Sequence, residues 1–280
     1  MSNNKKIPAV LTVAGSDSGG GAGIQTDLRT FHAFKVYGCS AITAITSQNP
    51  DEVRRIDVLS AEAVQSQLET ILAAIPIRFA KTGMLADRKI IECVAEFAGK
   101  HDLELIVDPV MVSTSGAKLL HESAISAMSD LLIPQAGWLT PNIPEAELLC
   151  GRKVKSFNDI ADMAIMLYEK YQCNVILKGG HLYNIGVASD TVCRNGELYT
   201  LSSPRVAIAA NTAHGTGCTL SAALAANLAL GKNWHEAVLE SKAFILGALS
   251  ENVKLSDGLC QMYPPERSYL EYVSLQQLNL

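Results

Sequence analysis

The feature that most constrains this chain is an alternation. Short runs rich in apolar and β-branched residues take turns with longer amphipathic runs along most of its length. "AVLTVAG" (9–15), "CSAITAIT" (39–46), "RFAKTG" (78–83), "LELIVDPVMV" (103–112), "GWLTPN" (137–142) and "NVILKGG" (174–180) read as strands. Helical patterns lie between them, over "IQTDLRTFHAF" (24–34), "SAEAVQSQLETILAAI" (60–75), about 86–100, near 121–132 and near 156–171. Strands separated by helices pair through crossovers. The expected architecture is therefore a mostly parallel sheet covered on both faces, a three-layer α/β/α fold. One segment breaks the rhythm. "SDTVCRNGELYTLSSPRVAI" (189–208) places Asn195-Gly196 between two strand-like runs, an antiparallel hairpin expected at one edge of the sheet. The last stretch, "PPERSYLEYVSLQQLNL", reads as a terminal helix after a proline break. No composition shift or repeat divides the chain, so residues 1–280 are expected to form one domain.

Bulk properties narrow the function. With 48% hydrophobic residues over 280 positions, the chain can bury a large core. A net charge of -5 and no basic stripe argue against nucleic acid as a partner. The seven cysteines are scattered and hold no C-x-x-C pair, which disfavours a zinc site or a disulfide framework. A reducing cytoplasm is the expected location. No run approaches the roughly 18 apolar residues of a membrane span, and "MSNNKKIPAV" has no signal-peptide core.

Ligands of parallel sheets collect beyond the carboxyl ends of the strands. Four segments stand at such ends or at a helix start. "GSDSGGGAG" (15–23) offers close backbone approach, with Ser16 and Asp17 as polar groups, or is simply a flexible turn. It lacks the Lys-Ser/Thr of a P-loop and the third glycine of G-x-G-x-x-G, which disfavours a dinucleotide-binding dehydrogenase. "DPVMV" followed by "STSG" (108–116) puts Asp108 at a buried strand end, where a cation, a metal-bound phosphate or a capped helix would justify it. In "TPNIPEAE" (140–147), Asn142 and Glu145 have the spacing of a capping box, the stronger reading from spacing alone, and are also oxygen ligands of the kind magnesium takes through water. Lys178 in "LKGGH" (177–181) is a phosphate clamp or a snorkelling surface lysine.

The fourth segment is "NTAHGTGCTLSAALAANLAL" (211–230), polar and glycine-rich, then small and apolar without a break. The N–H groups of Gly215, Thr216, Gly217 and Cys218 would lie unsatisfied at a helix N-terminus, ready for an anion. One such contact contributes about 0.3–2 kcal/mol, whereas catalysis of phosphoryl transfer needs at least about 8 kcal/mol. This loop therefore needs a cation and a positioned acceptor beside it. Cys218 is a packing residue or, with its pKa lowered by the helix terminus, a reactive thiol that an incoming phosphate would oppose.

Taken in order, "AGSDSGGGAGIQTDL", "AITAITSQN", "KTGML", "DPVMVSTSG", "TPNIPEAELL", "LKGGH" and "HGTGCTLSAALAA" resemble the hydroxymethylpyrimidine/phosphomethylpyrimidine kinases of thiamin synthesis, within the ribokinase-like superfamily. The resemblance covers about residues 8 to 255. It implies that Gly215, Thr216, Gly217 and Cys218 form an anion hole over the transferring phosphoryl group. It implies that Cys218 stands where most of the superfamily carries an aspartate base. It implies further that Asn142 and Glu145 act on a magnesium–water network, and that Lys178 contacts ATP phosphates with Asp108 nearby. Gly15, Asp17, Gln48, Met84 and the residue at position 111, Met111, would meet the pyrimidine. The chain departs from the usual family pattern at "TSQNP", at Thr82 of "KTGM" and at "MVSTSG".

The implied reaction transfers the γ-phosphoryl of ATP, with magnesium, to 4-amino-5-hydroxymethyl-2-methylpyrimidine and then to its monophosphate. A pyridoxal kinase, or an enzyme with both activities, shares the fold and nearly the same site. A non-catalytic pyrimidine-binding protein is the rival from another class, disfavoured by the intact anion hole. Relatives are often homodimers, and the hairpin and the 46–59 flap offer edges that a second subunit can cover.

Overall fold

The computed structural model describes residues 6–111, 120–179, 186–208 and 213–278. Residues 112–116, Gly180, His181, Asn211 and Thr212, named above within motifs, lie outside them. Ten strands make one sheet in the order β12-β9-β8-β7-β6-β5-β4-β1-β2-β3. Its centre is parallel: β1 (Ala9–Asp17), β2 (Tyr37–Gln48), β4 (Ile77–Thr82), β5 (Glu104–Val107), β6 (Ala136–Leu139) and β7 (Asn174–Leu177). β3 (Val53–Val58) returns antiparallel on β2.

Successive side chains of each central strand serve different helices, which is why the strand runs are apolar throughout. Leu11, Val13, Leu105, Val107, Val175 and Leu177 enter one core. That face is covered by α2 (Ala61–Ala74), α3 (Arg88–Lys100), α5 (Ile143–Cys150) and α6 (Phe157–Tyr171), with the short α4 (Glu122–Ala127) extended by a π turn and a 3-10 turn. Val10, Ile106 and Ile176 enter the other core, under α1 (Gly23–Ala33), α7 (Thr216–Ala229) and α8 (Trp234–Ser250). Local signals start these helices where expected. Ser60 caps α2 through the Ala63 N–H, and Ser156 makes a capping box with Asp159 on α6.

The expected hairpin is present as β8 (Val187–Arg194) and β9 (Glu197–Pro204). Asn195 and Gly196 both take positive φ, 51° and 79°, the turn whose twist matches the strands. The end of the chain corrects the sequence expectation. Instead of a helix, a 3-10 turn at Leu270–Tyr272 leads to β12 (Ser274–Gln277), which pairs antiparallel with β9 outside the hairpin. The free edge of β9 offers a row of backbone partners, and Leu275 alternates inward onto the second core. That tertiary demand outweighs the helical spacing of Leu270, Val273 and Gln277. Two further short strands, β10 (Val253–Ser256) and β11 (Leu259–Gln261), form a separate hairpin.

The crossover from β2 back to β4 reverses strand order around β1, so the crevice between the carboxyl ends of β1 and β4 is the switch point of the sheet. Beneath it lies a fully buried ion pair, with Lys81 Nζ 2.9 and 3.1 Å from the two oxygens of Asp27. The Thr12 hydroxyl donates to the same carboxylate at 2.6 Å. Burial alone would lower the Lys81 pKa, but Asp27 foremost outweighs it and holds the ammonium above its ordinary value. Beside it, the buried hydroxyl of Thr82 has no hydrogen-bond partner among the described residues. Two stability predictions follow from this pair of neighbours. Asp27→Ala strands a buried charge and is expected to cost about 3–5 kcal/mol in urea unfolding. Thr82→Val removes an unmet hydroxyl at constant shape and is expected to stabilise by about 1 kcal/mol. A Thr82→Val protein less stable than wild type would show that the hydroxyl is satisfied.

Candidate active site

α7 begins at the meeting of two glycine loops. Gly215 caps it with φ 85°, and a Cβ there would stand 1.9 Å from the Gly21 carbonyl oxygen. No side chain fits, so this contact seats the first turn of α7 against the loop after β1. At the start of a helix the N–H groups of Thr216, Gly217 and Cys218 have no partner within the helix. They open onto two cavities.

The first cavity, about 280 Å³, brings together Gly15, Asp17, Gln48, Met84 and Cys218. These came from four separate sequence motifs, which supports their common assignment. Position 111 is corrected. Met111 is fully buried in the core, and its neighbour Val110 lines the cavity instead. The alternation of extended backbone sends one of the pair inward. Val53 and Ile56 from β3 also line the cavity, together with Lys81 and His214. Asp17 is held by the Gly19 and Ala22 N–H groups at 2.8 Å each. Burial pushes its pKa up, but the neighbouring His214 ring and these amides outweigh it, leaving it below its ordinary value. Gln48 is tied by its backbone to Ser18, and its side-chain nitrogen lies 3.1 Å from His214 Nε2.

The second cavity, about 350 Å³, lies on the other side of Gly217. Its apolar wall includes Val206, Ile245 and Leu246, with Lys178 and Thr216 at the end near α7. Asp190 and Lys242 pair at 2.7 Å in its floor, and Asp190 also accepts the Gly179 N–H. The sequence analysis missed this wall and this ion pair. The residues come from β8, β9 and α8, and no local motif links them.

Between the cavities, Lys178 Nζ donates to Asp108 at 2.9 Å. It stands 3.1 Å from where a side chain on Gly217 would begin. Burial would lower the Lys178 pKa, but Asp108 and then Glu145 outweigh it and keep the ammonium charged. The snorkelling alternative falls, since the Lys178 side chain is only 17% exposed. Asn142 and Glu145 form a complete capping box on α5. Asn142 Oδ1 accepts the Glu145 N–H at 2.9 Å, and Glu145 Oε2 accepts the Asn142 N–H at 2.8 Å. A backbone bridge pairs Asn142 with Lys178, which sets the box beside the ammonium. Burial pushes the Glu145 carboxyl up to about 7 against the pull of Lys178, and Asp108 adds to the rise.

The lowered-pKa alternative for Cys218 does not hold. Burial pushes its thiol up to about 11, Lys81 opposes, and Asp27 and Asp108 add to the rise. The helix terminus is outweighed because the neighbouring cation is already neutralised by Asp27.

The family model described as phosphomethylpyrimidine kinase matches residues 17–262. The chain belongs to the phosphomethylpyrimidine kinase family. It is 45% identical over 267 residues to the hydroxymethylpyrimidine/phosphomethylpyrimidine kinase of Haemophilus influenzae, covering 92% of this chain and 96% of that one. The structure of phosphomethylpyrimidine kinase from Clostridium difficile 630 superposes with a TM-score of 0.77 at 39% identity, over 87% of this chain and all of that one. Pyridoxal kinase from Staphylococcus aureus, solved with AMP-PCP and pyridoxal, superposes with a TM-score of 0.87 at 32% identity, over 98% of this chain and all of that one. The ribokinase-like fold is thus shared across two vitamin kinases.

The raised pKa makes a prediction about Cys218. At pH 8 only about one thiol in a thousand is ionised, given a pKa of about 11. Iodoacetamide labelling of Cys218, read by peptide mass spectrometry, should be slow at pH 7–8 and still rising above pH 9. A plateau near pH 7 would mean that the thiolate is already formed there.

Proposed function

We propose that this chain is a hydroxymethylpyrimidine/phosphomethylpyrimidine kinase of thiamin biosynthesis, acting as one domain over residues 1–280. It transfers the γ-phosphoryl group of ATP to the hydroxymethyl oxygen of 4-amino-5-hydroxymethyl-2-methylpyrimidine, and then phosphorylates the monophosphate to the pyrophosphate. The observation that carries this reading is the meeting of two cavities at the bare N-terminus of α7, with Gly217 facing one and Cys218 the other. One cavity suits a nucleotide and the other a small ring.

In the proposed reaction the adenine lies against Val206, Ile245 and Leu246, and the phosphates reach toward Lys178 and the 215–218 amides. Charge spreads over the oxygens of the transferring group, and these donors meet it without having to reorganise. The donor set fits magnesium held through water. Glu145 keeps one carboxylate oxygen outside its capping box, Asp108 stands near, and the described residues contain no cluster of three or more His, Cys, Asp or Glu side chains that would cage a metal directly. When bound, magnesium supplies charge neutralisation between the phosphates. On the acceptor side, Gly15 and Met84 flank the ring, Gln48 pairs with its donor–acceptor edge, and Asp17 with Cys218 bounds the end near the hydroxymethyl. Cys218, a neutral thiol, accepts a hydrogen bond from the hydroxyl and orients it. The proton leaves only as the oxygen bonds to phosphorus, and passes to the phosphoryl oxygens or to water rather than to sulfur.

We further propose a cytoplasmic homodimer. β3 lies at the sheet edge with Val53, Ile56 and Val58 exposed, a surface suited to cover by a second subunit. Among the described residues, no helix is long and apolar enough to cross a membrane.

The close superposition on a pyridoxal kinase keeps a second acceptor open. A coupled ATP-consumption assay with magnesium, offering hydroxymethylpyrimidine, its monophosphate and pyridoxal side by side, decides between them. Turnover of the first two with little on pyridoxal is expected, and strong turnover of pyridoxal alone would overturn the assignment. In the same assay Cys218→Ala should lose about tenfold in kcat, an order-of-magnitude expectation for a lost orienting contact. Near-wild-type rates in both Cys218→Ala and Cys218→Ser would reject its role.

A further inference from the structure

Among the described residues, His214 and Lys81 are the ionisable side chains of the acceptor cavity that the proposed mechanism leaves without work, and Lys81 is already paired with Asp27. Its Nε2 lies 3.1 Å from the side-chain nitrogen of Gln48 and 3.6 Å from Asp17 Oδ2. The ring therefore has one nitrogen facing both a carboxamide and a carboxylate. Asp17 cannot turn away, because its two oxygens are occupied by the Gly19 and Ala22 N–H groups. The Gln48 backbone cannot either, because Ser18 holds both its N–H and its carbonyl. What remains free is the terminal torsion of the Gln48 amide, whose two ends are a donor and an acceptor.

An amide N–H donates only to a bare ring nitrogen. The Gln48 orientation seen here and an unprotonated Nε2 are thus two descriptions of one state. In that state the Gln48 carbonyl oxygen has the Thr46 hydroxyl at 3.4 Å, a long contact shared with the Ser16 carbonyl at 3.0 Å. Its second lone pair can accept from a donor on the ligand. If Nε2 carries a proton, the ring donates to Asp17, and the amide turns to offer its oxygen to the ring and its N–H to the ligand. An amino group on the ligand ring suits the first state. An oxygen that carries no proton in the same place, as on an ionised hydroxypyridine, suits only the second.

We propose that His214 sets the hydrogen-bonding sense of Gln48, and so selects amino-bearing over oxygen-bearing rings in the acceptor cavity. The proposal rests on the acceptor assignment above. The imidazolium, with both ring nitrogens protonated, allows only the second state, so the selection is expected to fade as the pH falls from about 8.5 to 5.5. The groups facing His214 are Asp17 from β1, Gln48 from β2, Gln261 from β11, and, across the cavity, Lys81 from β4 and Cys218 from α7. Lys81 is paired with Asp27, and Cys218 stays a thiol through this range. Arg29 of α1 is turned to the Gly20 carbonyl. Asp17, with its pKa already lowered, remains a carboxylate throughout.

The test is the equilibrium binding of hydroxymethylpyrimidine and of pyridoxine, without nucleotide, from pH 5.5 to 8.5, in wild type and His214→Phe. Wild type should lose about tenfold of its pyrimidine-over-pyridine preference as the pH falls, the effect of one hydrogen bond reversed in sense. His214→Phe should show the reduced preference at every pH, apart from any protonation of the ligands themselves, which both proteins share. Identical preference ratios for the two proteins across the range would overturn the proposal. If His214→Phe does not fold, ¹⁵N shifts of the wild-type pyrimidine complex at pH 8 decide instead. A bare Nε2 supports the proposal, and a protonated one refutes it. Wild type that consumes ATP with neither acceptor would defeat the functional assignment, while the binding ratios would still judge His214.

Discussion

The contact between the Gly21 carbonyl and the Cα of Gly215 is the constraint on which the site depends. It joins the loop after β1 to the cap of α7 at a distance that excludes even a methyl group. Both cavities are referenced to that contact. The acceptor cavity is walled by the loop that carries Gly21, and the nucleotide cavity by the helix that Gly215 starts. A Cβ at Gly215 would push the two apart and separate the anion-binding amides from the acceptor. The first turn of α7 thus gets its position from a missing side chain, and the long small-residue stretch that follows lets the helix sit tightly under the sheet. Ala222, Ala223, Ala225 and Ala226 are all buried there.

The second organising feature is the way charge is buried. Lys81 is neutralised by Asp27 with Thr12, Lys178 by Asp108, and Lys242 by Asp190. Each pair joins strands or helices that are distant in sequence, and each lies under or beside one of the cavities. Paired cations in a low-dielectric setting are poor general attractors of anions. Lys178 differs from Lys81 because it keeps part of its surface open, next to the bare amides of α7. A phosphate arriving there competes with Asp108 for a cation already in place, which favours positioning over raw affinity.

Local chemistry was legible in the sequence wherever one short motif decides it. The hairpin at Asn195-Gly196 and the caps at Ser60 and Asn142 needed only local spacing, while the gathering of Gly15, Gln48, Met84 and Cys218 was implied by the resemblance to the kinase family. What escaped depends on long-range pairing. β12 exists because the β9 edge is open, a fact stored some seventy residues away from Leu275. The wall of the nucleotide cavity draws on β8, β9 and α8 together. Lys81 and Asp27 each look like ordinary surface residues in their own runs, and only the packing of α1 over β4 makes them partners. His214 stands within "HGTGC" but had no role of its own in the sequence, since nothing in that motif says that Gln48 comes to meet it.

The state of Cys218 follows from the same placement. A helix N-terminus favours a thiolate, but the nearest cation, Lys81, is committed to Asp27, and Asp108 adds a second carboxylate to the neighbourhood. A thiolate here would add negative charge beside two carboxylates, and then beside an incoming triphosphate. A neutral thiol adds none. In a loose transition state the attacking oxygen keeps its proton until bonding is advanced, so a poor base at this position is no handicap. What the reaction needs from residue 218 is a small, neutral, polarisable group that holds the hydroxyl in line with Gly217 and the amides behind it. A half-buried cysteine at the first turn of α7 provides that, and the glycine contact at its cap fixes where it stands.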